Sequence, residues 1–173
     1  ENEFPDARPE IRVVAPDRCR SECGHSIETR EPLKVDEVSP QWHRVSGTPV
    51  DCVRVAIEAM AFRPDLVLSG INAGANLGVN LMVSGTFAAA REASLMGFPA
   101  IAISHYRRPD VPKTWDHTPK WLAPTLREFM MLARHHVVDH RPDTPSLLWN
   151  VNLPAIQPAS DQPPPHQECP VDR

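Results

Sequence analysis

Short apolar runs alternate with amphipathic stretches along most of the chain. Runs of β-branched and apolar residues that are closed by proline or glycine are typical of buried strands. This pattern predicts strands at residues 11–16, 41–47, 64–70, 98–104 and 146–154, with Trp42 of the second strand covering a sheet edge.

Helical patterns lie between these predicted strands. Thr48 is a typical N-cap, and Asp51 follows it at the third helical position of a capping box. Val53, Ile57 and Met60 then recur at the i, i+4 and i+7 spacing of one apolar helix face. Further helices are predicted at 87–96 and 119–136, the second with a kink near its internal proline. Apolar strands alternating with helices predict an α/β fold with a mostly parallel sheet.

Composition narrows the class of protein. The 173 residues, 41% hydrophobic and 23% charged, suit one globular domain, and a net charge of −4 argues against binding to nucleic-acid polymers or anionic membranes. Four irregularly spaced cysteines predict reduced thiols and a cytoplasmic location, and a zinc site is not expected from the single C-x3-C-x-H match. Residues 1–154 are predicted to form the domain, and the proline-rich residues 155–173 an extended or disordered tail.

The stretch SGINAGANLGVNLMVSGTFAAA, residues 69–90, contains four of the seven glycines. It follows a predicted strand, and ligands of parallel α/β sheets bind at the carboxyl ends of strands. Glycine permits a positive φ and a close approach of the backbone to a ligand, but it is equally common in ordinary turns. Its spacing here matches neither a Walker A loop nor a dinucleotide fingerprint.

Two features of this stretch suit a phosphate. Ser84, Gly85 and Thr86 stand at the start of a predicted helix, where free N–H groups and hydroxyls favour an anion. Asn72 and Asn76 offer amide donors for phosphate or carbonyl oxygens for a hard cation. An ordinary helix cap and ordinary turns explain the same residues, so the spacing alone leaves both interpretations open.

The blocks PDLVLSGINAGANLG and SGTFAAAREASLMGFPAIAIS resemble the SurE (survival protein E) family of nucleoside-monophosphate phosphatases. VVAPDRCRSECGHSI, EPLKV and SGTPVDCV upstream, and LLWNVNLP downstream, match the family in the same order over residues 11–154. The resemblance implies a Rossmann-like α/β fold and a divalent-metal phosphomonoesterase, using Mg²⁺ or Mn²⁺, that acts on nucleoside 5′- and 3′-monophosphates. It also implies a homodimer.

The matching motifs carry site residues over to this sequence. They imply that Ser21 and Asn72 are metal ligands and that Asn76, Ser84, Gly85 and Thr86 contact the phosphate of the substrate. We expect Ser21 and Asn72 to lie within about 10 Å of each other, because ligands of one hard cation share a coordination sphere.

The catalytic residues are not identified, because the Asp pair of the family's N-D-D-G motif has no counterpart in this sequence. The family's first strand and its C-terminal exchange region also have no counterpart. We therefore expect weak catalysis at best. The alternative is a non-catalytic phosphate- or nucleotide-binding remnant, or a fragment of a SurE-like protein.

Overall fold

The strands of the computed structural model form two three-stranded sheets. The structure describes residues 9–139, 145–156 and 163–169. One sheet has the order β1-β3-β2, with β1 parallel and β2 antiparallel to β3, and the other is an all-parallel sheet of order β4-β5-β6. The strands are β1 Val13–Pro16, β2 Val35–Ser39, β3 Trp42–Val45, β4 Val67–Ala73, β5 Ala100–His105 and β6 Leu148–Leu153.

The helices connect these strands as predicted for an α/β protein. They are α1 Pro49–Arg54, which continues as a π-helical turn over Val55–Ala59, α2 Asn80–Val83, α3 Gly85–Leu95 and α4 Thr118–Asp139. Thr48 caps α1 with the predicted reciprocal pair of hydrogen bonds to Asp51. The α/β class and the parallel sheet are thus confirmed.

Strand β5 lies at the centre of the second sheet and is buried along its whole length. Successive side chains of a strand point to opposite faces, so Ala100 and Ala102 pack against α3, and Ile101 and Ile103 pack against α4. Three alanines of α3 belong to the first cluster together with Val53 and Ile57, and small side chains let a helix lie close to a sheet. Because α3 and α4 each follow a strand of this sheet, both begin at its carboxyl edge.

Three local features differ from the sequence predictions. Strand β2 was not predicted, because all five of its side chains are exposed and give no apolar signal. Trp42, expected to cover a sheet edge, lies on the middle strand of its sheet and is 53% exposed. Strand β4 does not end at Gly70 but continues to Ala73, with an irregularity in its pairing between Ser69 and Asn72.

The proline-rich segment is described in part. Ala155 is buried beside the end of β6, and residues 163–169 form neither helix nor strand. Residues 157–162 and 170–173 lie outside the described part, so the predicted tail at 155–173 stays a prediction. In the described ranges, no helix combines the length and apolar character needed to cross a bilayer.

Candidate functional site

The first two glycines of the stretch 69–90 lie within β4 and directly after its end. Gly70 has φ +132°, and a Cβ atom at this position would collide with the carbonyl oxygen of Ile103 on β5. Gly74 has φ +149° and donates its N–H to the carbonyl of His105 at 2.9 Å. At Gly70 the close approach that glycine permits is therefore an approach of strand to strand, whereas at Gly74 glycine permits the positive φ.

Asn72 lies at the carboxyl end of β4, where its backbone pairs with Ser104 of β5. Its side-chain Nδ2 donates to the carbonyl oxygen of Gly74 at 2.9 Å. Because the amide nitrogen is engaged in this way, Oδ1 is the atom of Asn72 that suits a metal ion.

Asn76 is buried in a polar network. Its Nδ2 donates to Ser104 Oγ at 2.8 Å, and its backbone N–H donates to Asn152 Oδ1 at 2.8 Å. Its carbonyl oxygen accepts from Asn150 Nδ2 at 3.0 Å and from Asn152 Nδ2 at 3.2 Å. An amide nitrogen has two protons, so Asn76 keeps one donor for a phosphate, but these contacts also give it a structural role.

Sequence analysis missed the partners of Asn76. Asn150 and Asn152 alternate with apolar residues along β6, and Ser104 stands near the end of the buried strand β5. Polar residues at such positions need a hydrogen-bonding partner. Their presence in apolar strands was the feature of the sequence that could have indicated this network.

Ser84 caps α3. Its Oγ accepts from the N–H of Phe87 at 3.1 Å, and its carbonyl accepts from Ala88 at 3.0 Å. The N–H groups of Gly85 and Thr86 precede the first internal hydrogen bond of the helix, so helix geometry leaves them for another acceptor. These residues, which we call the Ser84–Thr86 turn, therefore form both a helix cap and a site that suits an anion.

The segment 17–26, which we call the Ser21 loop, lies against the Ser84–Thr86 turn. Gly24 donates its N–H to the carbonyl of Val83 at 2.9 Å, and a Cβ atom at Gly85 would lie 2.9 Å from Cys23 Sγ. Ser21 itself is exposed, with its Oγ 3.2 Å from Cys19 Sγ. The fold therefore brings the loop of one proposed metal ligand to the proposed phosphate site, whereas the expected closeness of Ser21 and Asn72 stays a prediction.

The oxygen donors proposed for a metal are both neutral. In the described part of the chain, no three His, Cys, Asp or Glu side chains are grouped so as to hold a metal ion. Asp17, at the carboxyl end of β1, is paired with Arg20 at 3.3 Å. Hard dications take at least one or two carboxylate ligands, so the described residues do not by themselves complete a site for Mg²⁺ or Mn²⁺.

The thiols of Cys23 and Cys52 are protonated at neutral pH. Burial raises the pKa of Cys52 to about 12, and burial also raises the pKa of Cys23. All four cysteines are free. A thiolate role for Cys23 or Cys52 is therefore not favoured.

His105 ends β5 in a second buried group that sequence analysis did not identify. Its Nε2 donates to the carbonyl of Pro154 at 3.1 Å, and its ring packs edge-on against those of Trp115 and His117. Its Nδ1 is buried without a partner among the described residues. Burial, followed by the nearby charge of Arg107, lowers the pKa of His105.

We predict from this shift that the domain loses stability as the pH falls. A lowered pKa in the folded state means that the unfolded chain binds the proton more readily. The contribution of His105 is therefore complete above the unfolded-state pKa of about 6.5 and declines below it. Thermal melts between pH 8 and pH 5.5 should show this decline, and His105→Asn should reduce it. His166→Asn, at an exposed histidine, is the control, and equal slopes in all three proteins would contradict the assignment.

Comparison with known proteins places this geometry in a family. The family model described as survival protein SurE matches residues 2–166. A relative from Nostoc sp. is 43% identical over 151 residues, which are 87% of this chain and 63% of that protein. The 5′-nucleotidase SurE of Neisseria gonorrhoeae is 40% identical over 149 residues, 86% of this chain and 56% of that one.

A solved structure agrees with the sequence matches. The crystal structure of the SurE protein from Aquifex aeolicus superposes with a TM-score of 0.66 at 34% identity, covering 84% of this chain and 55% of that one. The chain thus spans little more than half the length of the Neisseria and Aquifex proteins. The match of the family model along nearly all of the sequence shows that the chain belongs to the SurE family.

Proposed function

We propose that this chain acts in the metal-dependent hydrolysis of nucleoside 5′- and 3′-monophosphates. The observation that carries the proposal is the contact of the Ser21 loop with the Ser84–Thr86 turn at the start of α3. Relatives that carry the name 5′-nucleotidase SurE supply the reaction class. Phosphate and nucleoside monophosphate are the ligands that this arrangement suits.

In this proposal the protein's own groups bind and orient the phosphate. The N–H groups of Gly85 and Thr86 point along the axis of an 11-residue helix whose amino end favours negative charge. The hydroxyl of Thr86 adds a side-chain donor, and Asn76 offers its second amide proton. Donors fixed in this way before the substrate arrives stabilise phosphoryl charge without reorganisation.

The proposed cofactor is Mg²⁺ or Mn²⁺, with Ser21 Oγ and Asn72 Oδ1 as the donors from this chain. Oxygen donors of this kind suit hard dications. Because both donors are neutral and the described residues do not complete the site, no reaction step is assigned to the metal.

The neutral donor set specifically favours a second candidate function, a non-catalytic phosphate- or nucleotide-binding protein. Both candidates bind nucleoside monophosphates, but only the phosphomonoesterase hydrolyses them. Phosphate release from nucleoside monophosphates with Mn²⁺ and with Mg²⁺, alongside calorimetric titration with the same nucleotides, separates them. Metal-dependent release supports the phosphomonoesterase, and binding without release supports the second candidate. The absence of both would contradict the site itself.

Replacement of Thr86 by Val tests the phosphate site. We expect phosphate affinity to fall by about 1.5–3 kcal/mol, because the variant lacks one hydroxyl donor to a charged group. The measurement is calorimetric titration with inorganic phosphate. Thr29→Val, at an exposed loop threonine, is the matched control and should bind as the parent does. Equal affinity of all three proteins would show that Thr86 belongs to a structural helix cap.

A further inference from the structure

His25 joins the Ser21 loop to α3 through both nitrogens of its ring. Nε2 lies 2.7 Å from Glu92 Oε2, and Nδ1 lies 3.0 Å from Arg91 Nε. The side chain of His25 is three-quarters buried, and that of Glu92 is 6% exposed. Neither contact follows from the nucleotidase chemistry proposed above.

The partners of His25 determine where its proton lies. A guanidinium can only donate hydrogen bonds, so His25 Nδ1 must accept the bond from Arg91 and carries no proton. The ring proton therefore lies on Nε2 and is donated to Glu92. This tautomer satisfies both nitrogens at once, whereas the other would place two N–H donors against each other.

Glu92 is shared between the loop and a second helix. Its other oxygen, Oε1, accepts from Arg54 Nε of α1 at 2.6 Å. A buried carboxylate is costly unless it is paired and hydrogen-bonded, and here both oxygens have a partner. Removal of His25 would leave Oε2 without that partner, so the contact resists opening.

The loop contacts the Ser84–Thr86 turn only a few residues from His25. Gly24, which precedes the histidine, donates to the carbonyl of Val83, which precedes Ser84. On the other side, Ser26 accepts from Thr48 Oγ1 at 2.7 Å, which ties the loop to the start of α1. The side chain of His25 thus lies between two backbone contacts that fix the course of the loop.

We propose that His25 and Glu92 are positioning residues that hold the Ser21 loop at a set distance from the Ser84–Thr86 turn. The consequence for a metal donor and a phosphate site rests on the proposed function, whereas the contact itself does not. The pair touches neither substrate nor metal in this scheme. It acts by keeping Ser21 at a fixed position relative to the phosphate donors. Binding sites of this kind need their groups held within about 0.5 Å of the productive geometry.

The first test measures how often the loop opens and does not depend on phosphatase activity. Trypsin cleavage after Arg18, an exposed residue of the loop, should accelerate about tenfold in His25→Ala, because the loop opens more often once the hydrogen bonds of His25 to Glu92 and Arg91 are lost. His25→Gln, whose amide can donate to Glu92 and accept from Arg91, should restore slow cleavage. His166→Ala is the matched control, since His166 lies 3.9 Å from Glu128 in an exposed pair. Equal cleavage rates in all four proteins would overturn the proposal.

The second test asks whether the two residues act together. Glu92→Gln should also accelerate cleavage. The double variant with His25→Ala should be cleaved little faster than the single variants, because both changes disrupt the contact between His25 and Glu92. Additive effects would overturn the pairing. Nitrogen chemical shifts of the labelled imidazole should show protonation at Nε2 in the parent protein, and protonation at Nδ1 would overturn the assigned geometry.

The third test separates positioning from mere stability. In His25→Ala the Mn²⁺ concentration that gives half-maximal phosphate release should rise about tenfold, which corresponds to a loss of about 1.4 kcal/mol in the free energy of metal binding. A purely structural role would lower the active fraction and leave the half-saturating concentration unchanged, which would contradict positioning. If the parent releases no phosphate, the proposed function fails, and the cleavage and imidazole measurements still decide the contact between His25 and Glu92.

Discussion

Substitution of Gly70 by Ala is expected to destabilise the domain by about 3 kcal/mol. The backbone at Gly70 has φ +132°, which side chains rarely adopt, and the added Cβ would collide with the carbonyl oxygen of Ile103. That oxygen belongs to the fully buried strand β5, so it cannot move aside without disturbing both apolar clusters. For a chain of this length, the loss corresponds to a fall in melting temperature of roughly 10 °C.

Gly78→Ala is the matched control for this prediction. Gly78 also has a positive φ, +53°, but a Cβ atom there would meet nothing within 4 Å. We expect a cost of about 1 kcal/mol, from backbone strain alone. Urea denaturation of freshly isolated monomer, monitored by tryptophan fluorescence, measures the free energy of unfolding of the parent protein and of both variants. Equal costs would show that the approach of β4 to β5 is not tight at Gly70.

The second large effect concerns association through the sheet edges. Strands β1 and β4 are outermost in their sheets, and within the described ranges neither pairs with a strand on its outer side. On β4, Leu68 is 55% exposed and Ile71 is 38% exposed. An edge strand has unpaired N–H and C=O groups, and where exposed apolar side chains lie beside them it can pair with a strand of another chain. We therefore expect the purified 173-residue chain to be marginally stable and to associate at micromolar concentration.

Leu68→Lys should suppress this association, because lysine on an edge strand opposes pairing. Leu95→Lys is the matched control, since Leu95 is 56% exposed, lies at the end of α3, and gains the same charge. Sedimentation velocity at several protein concentrations measures the degree of association of each protein. Equal suppression by both variants would indicate a general charge effect. A stable monomeric parent with a cooperative melt well above room temperature would contradict the prediction altogether.

The local elements of the fold could be predicted from the sequence because their signals are local. The Thr48 capping box and the Ser84 cap involve residues three positions apart, and the structure has both. Strand β5 is apolar over its first four residues and was predicted within two residues of its observed start. Strand β2 was missed because its exposed side chains carry no apolar periodicity, and the extension of β4 was missed because glycine indicated a turn.

The sequence by itself determined the α/β class, the family resemblance and the motif residues. Hydrophobic patterns, helix caps and motifs each depend on residues that are close together in the sequence. The tertiary structure alone decided that Gly70 serves a contact with Ile103, that Asn76 joins β5 and β6, and that His25 holds Glu92. These contacts join residues separated by between 28 and 76 positions, as with Asn76 to Ser104 and to Asn152. Such pairs have no local signature, since burial and hydrogen-bond partners are properties of the packed chain and not of any one segment.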